Sequence, residues 1–183
     1  MSAIITVGRV AVEVVAGDIT SQGDVDVVVN AANAMLEPGG GVAGAIHRAA
    51  GPGLLEECRP LAPIAVGACA ITSGHGLPNP WVIHCLGPVY GVDEPAPELL
   101  ASCYRSALGL ADERGLRSIA FPALSTGVFG YPLEEAAAVA LRAVLDEAPA
   151  LRNVERVRFV LFGSSAMRVH TRALERLCGA RAE

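Results

Sequence analysis

Short apolar runs of strand length alternate with helical segments along this chain, and this alternation limits the folds it can adopt. Apolar runs end at Asn30 and Phe162, whereas Leu100, Cys103 and Ala107 recur at the spacing of one helix face. Strands are predicted in residues 3–15 (one or two strands), 24–30, 65–74, 81–88, 117–124 and 156–162, and helices in 42–50, 53–59, 98–114, 132–147 and 164–177. This order predicts an α/β fold, with a central mixed sheet and helices on both faces, and residues 1–183 fit a single domain.

Two glycine-rich segments precede helices of the predicted sheet. They are NAANAMLEPGGGVAG, residues 30–44, and STGVFGYP, residues 125–132. Glycine lets neighbouring backbone N–H groups point together at an anion beside the positive end of a helix. A phosphate could be held there without a cationic side chain. The other interpretation, that the glycines only make tight turns, stays open from these residues alone.

The charge composition excludes several kinds of chemistry. All 14 basic residues are arginine, so no lysine is available as a Schiff base, a P-loop cation or an amine nucleophile. The net charge is −5 and no basic cluster stands out except RNVERVR, which is typical of a solvated face. Polymeric nucleic acid is therefore disfavoured as a partner.

The cysteine and histidine spacings predict neither disulfides nor a metal site. The five cysteines are odd in number, contain no C-x-x-C pair and are interpreted as small core residues. His75 and His170 have no ligand spacing with each other or with cysteine, so no metal is expected. We expect no cofactor either.

No membrane segment or export signal is predicted. The longest uncharged stretch, residues 60–92, contains five prolines, which interrupt any spanning helix. Arg9 and Glu13 break the N-terminal apolar segment, which therefore lacks the form of a secretory signal. We expect a cytoplasmic protein.

The segment GGGVAG formally matches the G-x-G-x-x-G pattern of dinucleotide-binding Rossmann folds. That pattern should follow its strand directly, but residues 31–38 intervene here between Asn30 and Gly39. The spacing disfavours a Rossmann fold.

Several polar and aromatic side chains follow strands at the edge where ligands bind in such sheets. Asn30 is predicted mainly to hold its loop and Asn33 to contact a ribose. Asp18 could accept a hydrogen bond from an exocyclic amine such as that of adenine, or it could cap the turn that follows. Phe129 could cover a sugar or a base. Phe162 could stack on a purine or belong to the core.

Together these motifs resemble the macrodomains, which are ADP-ribose-binding α/β modules. The segments that carry the resemblance are GDIT, VVVNAAN, GGGVAGAIHRAAG, WVIHCLGP and SIAFPALSTGVFGYP, and it extends from about Val12 to Leu177. It implies a three-layer α/β/α fold with a cleft for ADP-ribose, ADP-ribosylated proteins or O-acetyl-ADP-ribose.

The resemblance also implies roles for individual residues. Asp18 would hold the adenine amine, Ile19 would line the adenine site and Phe162 would stack on the base. Asn33 and Phe129 would contact the distal ribose. The diphosphate would be wrapped by two segments, one made of Gly39, Gly40, Gly41 and Val42 and the other of Ser125, Thr126, Gly127, Val128, Phe129 and Gly130.

The helix and the second glycine loop are most similar to the MacroD-type branch, which removes mono-ADP-ribose from acidic side chains and deacetylates O-acetyl-ADP-ribose. That branch usually reads G-G-G-V-D-G, with the aspartate implicated in activating water. This sequence has Ala43 at that place, as archaeal-type macrodomains do. Alanine cannot act as a base, so a contribution of about 100-fold would be missing.

A substrate-assisted reaction would remain possible. The ligand's own diphosphate would orient or deprotonate a water, while loop N–H groups stabilise developing charge. The catalytic candidates are then Asn33 and Gly41. His47 is interpreted as structural rather than catalytic, and His84 as a hydrogen-bonded core histidine.

Two functions from different classes follow. The first is an ADP-ribosyl hydrolase or O-acetyl-ADP-ribose deacetylase, and the second is a non-catalytic reader of ADP-ribosylated proteins. Ala43 is the residue that separates them. Binding of single-stranded poly-A is a weaker third alternative, which would show a salt-sensitive affinity.

Overall fold

A computed structural model describes residues 3–179 of the chain as a seven-stranded sheet covered by helices. The strands are β1 Ala3–Val7, β2 Val10–Ala16, β3 Val27–Ala31, β4 Cys69–Ser73, β5 Trp81–Cys85, β6 Ser118–Phe121 and β7 Arg156–Leu161. The α-helices are α1 Gly41–Ala50, α2 Pro52–Cys58, α3 Ala96–Glu113, α4 Leu133–Glu147 and α5 Ser164–Gly179. The predicted elements are therefore present, and residues 3–15 form two strands rather than one.

The sheet is mixed, as predicted, with the order β1-β2-β7-β6-β3-β5-β4. The five inner strands run parallel to one another, and β1 and β4 pair antiparallel at the two edges. Parallel strands place all their carboxyl ends at one edge of the sheet, where the loops that follow them meet.

Each face of the sheet has its own apolar core. Side chains of β3 alternate, so that Val27 and Val29 pack with α3, α4 and α5, whereas Val28 packs with α1 and α2. Both faces are covered, which explains why the inner strands read as continuous apolar runs. The three-layer α/β/α prediction is confirmed.

Aromatic residues fill the centre of the larger core. Tyr104 of α3 packs on Phe121 and Phe159, with ring centroids 5.0 and 6.0 Å away. The single tryptophan, Trp81, lies instead at the start of β5, with the Arg114 guanidinium 4.7 Å above its ring.

The prediction that the cysteines form no disulfide is wrong for one pair. Cys69 and Cys85 are bonded across β4 and β5, with their Cα atoms 4.3 Å apart. They are 16 residues apart in sequence, and they become direct neighbours because the antiparallel register pairs them. Cys58 and Cys103 are buried and unpaired, as predicted.

Between residues 3 and 179, no helix is long and apolar enough to cross a membrane. Within the same range, no three His, Cys, Asp or Glu side chains are grouped so that they could hold a metal ion.

Candidate functional site

A cleft of about 720 Å³ opens at the carboxyl ends of the five parallel strands. Every one of these strands contributes to its walls, either directly or through the loop that follows. The lining comprises Gly17, Asp18, Ile19, Ala31, Ala32, Asn33, Gly39, Gly40, Gly41, Val42, Ala43, Ala45, Arg48, Gly87, Pro122, Ala123, Leu124, Ser125, Thr126, Gly127, Val128, Phe129, Val160, Phe162 and Ala166.

One wall of the cleft is the glycine segment that opens α1. Gly40 is the N-cap residue of α1, and because glycine has no side chain, no side-chain cap occupies the first amides of the helix. Gly41 has a φ of 55°, a left-handed value that favours glycine. The first amides of a helix have no partner within it. In addition, the Gly40 amide donates to no acceptor among residues 3–179. This wall therefore presents main-chain donors.

A second part of the cleft wall is the loop from Ser125 to Phe129. The conformation of this loop is fixed by two backbone hydrogen bonds, from the Tyr131 amide to the Ser125 carbonyl (2.9 Å) and from the Gly130 amide to the Gly127 carbonyl (3.0 Å). Within the described residues, the Gly127 amide donates to no acceptor. Val128 is 97% exposed at the rim of the cleft.

Gly130 is the one predicted ligand-binding residue that does not line the cleft. Its φ of 70° helps to turn the chain back toward α4. This left-handed conformation favours glycine and explains why a glycine is present there. All the other predicted residues do line the cleft.

Asp18 performs the capping role that the sequence left open. Its Oδ1 accepts hydrogen bonds from the Thr20 amide (2.8 Å) and hydroxyl (2.7 Å), and these bonds lower the pKa of the carboxyl group. Its Oδ2 accepts none from the described residues. The carboxylate can therefore cap this turn and still accept a hydrogen bond from a ligand.

The structure gives the loop-holding role to Asn33 rather than to Asn30. Asn33 holds the loop, because its Nδ2 donates to the Glu37 carbonyl (2.8 Å) and its Oδ1 accepts from the Glu37 amide (3.0 Å). Asn30 is buried on β3 beside His84, outside the cleft lining, so its predicted loop-holding role is wrong. An amide has two N–H groups and two lone pairs, so Asn33 keeps one of each for a ligand.

The aromatic candidates differ in exposure. Phe129 is partly buried, and its carbonyl accepts a hydrogen bond from the Tyr90 amide (2.9 Å). Phe162 is 94% exposed, which excludes the core role that the sequence left open for it. The cleft thus carries an accessible aromatic face at the end of β7.

The histidines lie outside the cleft. His84 is fully buried, and its Nε2 lies 2.9 Å from the Thr72 hydroxyl; burial lowers its pKa to about 4. The prediction of a hydrogen-bonded core histidine is confirmed. His47 is also buried, and burial lowers its pKa, in line with the structural interpretation.

Ala43 lies in the first turn of α1 and lines the cleft, 5% exposed. Asp18 is the single carboxylate among the described lining residues. The carboxylate missing at residue 43 is therefore not replaced by another one in the described walls.

Arg48 and Gly87 are among the lining residues that sequence reasoning missed. Arg48 lies four and seven residues after Gly44 and Gly41 on α1, so helical spacing could have identified it. Gly87 follows β5, and a Cβ there would overlap the Ser125 hydroxyl. The position of this glycine after a parallel strand was the available signal.

Comparison with known proteins gives the same family from sequence and from structure. The Macro domain family model matches residues 29–140. A macro domain-containing protein of Chlorobaculum tepidum is 49% identical over 91% of this chain and 96% of its own. An O-acetyl-ADP-ribose deacetylase of Klebsiella pneumoniae is 47% identical over 88% of this chain and 95% of its own.

A solved macrodomain of Oceanobacillus iheyensis with ADP superposes with a TM-score of 0.94 at 40% identity, covering 98% of both chains. The family model, the sequence relatives and this structural neighbour all point to the same family, and the chain belongs to the Macro domain family.

Proposed function

We propose that this protein binds ADP-ribose in the cleft and hydrolyses mono-ADP-ribose from acidic side chains of proteins, O-acetyl-ADP-ribose, or both. The observation that carries the proposal is the pair of glycine segments that line the same cleft, whose Gly40 and Gly127 amides have no acceptor among the described residues. Such donors suit a diphosphate, which accepts several hydrogen bonds at once.

Different residues of the cleft lining suit the two ends of ADP-ribose. The exposed ring of Phe162 would stack on adenine, and the free Oδ2 of Asp18 would accept a hydrogen bond from the adenine amine. Ile19 would line the same adenine site. The remaining hydrogen-bonding capacity of Asn33 would serve the distal ribose, beside Phe129.

Hydrolysis would be assisted by the substrate. With an ADP-ribosylated side chain, a water beside the distal ribose would attack the anomeric carbon, one water proton would pass to the diphosphate, and the bond to the target would break with the target's carboxylate as leaving group. With O-acetyl-ADP-ribose, the water would attack the acetyl carbonyl carbon, the ribose oxygen would leave and take up the proton from the diphosphate, and acetate would be released. Asn33 would position the ribose, and the Gly41 amide would stabilise the negative charge that develops. Ala43 supplies no base for this step.

The absence of a carboxylate at Ala43 favours a second candidate function, a reader that binds ADP-ribosylated proteins without cleaving them. Poly-A has less support, because Arg156 and Arg158 of the basic segment are paired with Asp24, and Arg158 also with Glu13.

Binding is tested by calorimetry with ADP-ribose, AMP, NAD and O-acetyl-ADP-ribose. We expect ADP-ribose to bind more tightly than AMP, because both glycine segments and the distal-ribose end then contribute. Equal affinity for AMP and ADP-ribose would contradict the proposed use of the second glycine segment.

Hydrolysis is tested on a target automodified with ADP-ribose on glutamate, by measuring the release of free ADP-ribose. Ala43→Asp is expected to raise turnover by about tenfold or more, because it restores a potential base. Ala45→Asp adds the same charge elsewhere in the cleft and is the matched control, with no gain expected. If the wild-type protein binds ADP-ribose but releases none from the target, the reader function replaces the hydrolase.

A further inference from the structure

Arg48 is the one cationic side chain among the described residues that line the cleft. It is exposed, and between residues 3 and 179 it forms neither a hydrogen bond nor an ion pair. By contrast, Arg156 and Arg158 of the basic segment are paired with carboxylates that are distant in sequence. The charge of Arg48 is therefore available to a ligand.

The guanidinium of Arg48 is carried back toward the glycine segment. A Cβ built on Gly44 would lie 3.0 Å from Arg48 Nη1, and it would also overlap the Gly39 carbonyl oxygen. Side chains on a helix lean toward its N-terminus, which brings Arg48 over the residue one turn earlier. The positive group thus lies beside the first turn of α1 rather than beside its last.

This placement concentrates positive charge that the empty protein does not neutralise. The N-terminus of a helix already carries a partial positive charge, and a nearby cation is unfavourable there. No carboxylate is within ion-pair distance of Arg48 in the described residues. An anion bound at the glycine segment would relieve this repulsion.

The protein as a whole repels such an anion. Its net charge is −5, and Asp18 adds a carboxylate to the cleft itself. Main-chain amides are neutral, so they attract a phosphate only at short range, whereas a full charge acts over about 10 Å in dilute salt. A local cation is what would offset the overall charge.

We propose that Arg48 is a specificity-determining residue that selects ligands by the charge of their phosphates, favouring nucleoside diphosphates over uncharged nucleosides. This inference rests on the proposed function, since it assigns a role within the same cleft. Arg48 acts on the diphosphate, whereas Asp18 and Phe162 act on the base. The contribution of Arg48 to binding can therefore be separated from that of the base-binding residues by comparing ligands with and without phosphates.

The test compares Arg48→Gln with Arg142→Gln, which removes the same charge from an exposed position of α4 outside the cleft lining. Binding of adenosine, ADP and ADP-ribose is measured by calorimetry at about 20 mM and about 300 mM salt. Arg48→Gln should bind ADP and ADP-ribose about three- to tenfold more weakly at the lower salt, with a smaller salt dependence and unchanged adenosine binding. Arg142→Gln should match the wild type.

Arg48→Lys should keep the salt dependence of the wild type because it keeps the charge, and Arg48→Glu should exceed the loss caused by Arg48→Gln. Adenosine affinity and the unfolding midpoint establish that each variant is folded. Equal ADP-ribose affinity and salt dependence in Arg48→Gln and Arg142→Gln would overturn the inference. Failure of the wild-type protein to bind ADP-ribose would instead refute the proposed function.

Discussion

Two phenylalanines three residues apart in sequence have opposite environments. Phe159 of β7 is fully buried and lies against Phe121, with ring centroids 5.9 Å apart, whereas Phe162 is 94% exposed at the cleft. We expect Phe162→Ala to weaken ADP-ribose and adenosine binding by about 5- to 100-fold, because base stacking contributes about 1–3 kcal/mol. Its free energy of unfolding should change by less than about 0.5 kcal/mol.

Phe159→Ala is the matched control for this prediction. It should lower the free energy of unfolding by about 3–5 kcal/mol, because it leaves a cavity in the larger core. Calorimetry and urea unfolding separate the two effects. A Phe162→Ala variant that is destabilised but binds normally would contradict the assignment of this ring to the ligand.

Single residues show where sequence reasoning succeeds and where it fails. The position of Asp18 in the cleft lining could be predicted because the end of a parallel strand fixes it there. The role predicted for Asn30 was wrong because the sequence shows where its strand ends but not which residue lies beside it, and only the register with β5 places Asn30 against His84. The exposure of the Phe162 side chain excludes a core position, and the periodicity of apolar residues along the sequence does not reveal this exposure.

Helix α1 depends on a glycine within its first turns for its contact with the glycine segment. A Cβ at Gly44 would overlap the Gly39 carbonyl oxygen, which can move only if the backbone of that segment moves. We expect Gly44→Ala to lower the free energy of unfolding by about 1–3 kcal/mol and to weaken ADP-ribose binding. Urea unfolding and calorimetry measure the two changes.

Gly109 of α3 provides the comparison, because a Cβ there meets nothing within 4 Å. Gly109→Ala should raise the free energy of unfolding by about 0.5–1 kcal/mol through its helix propensity. Similar changes in both variants would mean that the contact between Gly44 and Gly39 has no energetic importance.

Element boundaries followed from local signals, whereas contacts between elements did not. Pro132 with Glu134 and Glu135 marked the start of α4, and the helix does begin at Leu133. The Cys69–Cys85 disulfide was missed because it depends on the register of β4 against β5, and spacing in sequence does not specify register.

The stability of the whole molecule should depend on pH through its buried histidines. Burial lowers the pKa of His84 to about 4, and it also lowers the pKa values of His47 and His170. An unfolded histidine takes up a proton near pH 6.5, whereas folded His84 does not. The unfolded state therefore binds more protons between about pH 6.5 and pH 4, and acid favours it.

We expect the free energy of unfolding to fall by about 2 kcal/mol between pH 7 and pH 5 from His84 alone. Urea unfolding at several pH values measures the loss, and NMR of the His84 ring should show no titration in the folded protein over this interval. Equal stability at pH 7 and pH 5 would contradict the prediction. At still lower pH, protonation of carboxylates such as Asp24, whose pKa the Arg158 hydrogen bond lowers, adds to the loss.

The order of strands in the whole sheet could not be predicted from the chain. The alternation of elements indicated a mixed sheet, but β2 pairs with β7 and β6 with β3, which are far apart in sequence. Such pairings depend on how the two cores pack on opposite faces. The cleft brings together residues from Gly17 to Ala166 for the same reason.

The position of Trp81 has a practical consequence for optical measurements. The indole begins β5, beneath Arg114, whereas the cleft opens beyond the other end of that strand, about 13 Å away by strand geometry. Its fluorescence should therefore respond to melting of the sheet and remain silent when the cleft fills. Denaturation can therefore be followed by emission in the presence of nucleotide, without a change in the signal from binding itself.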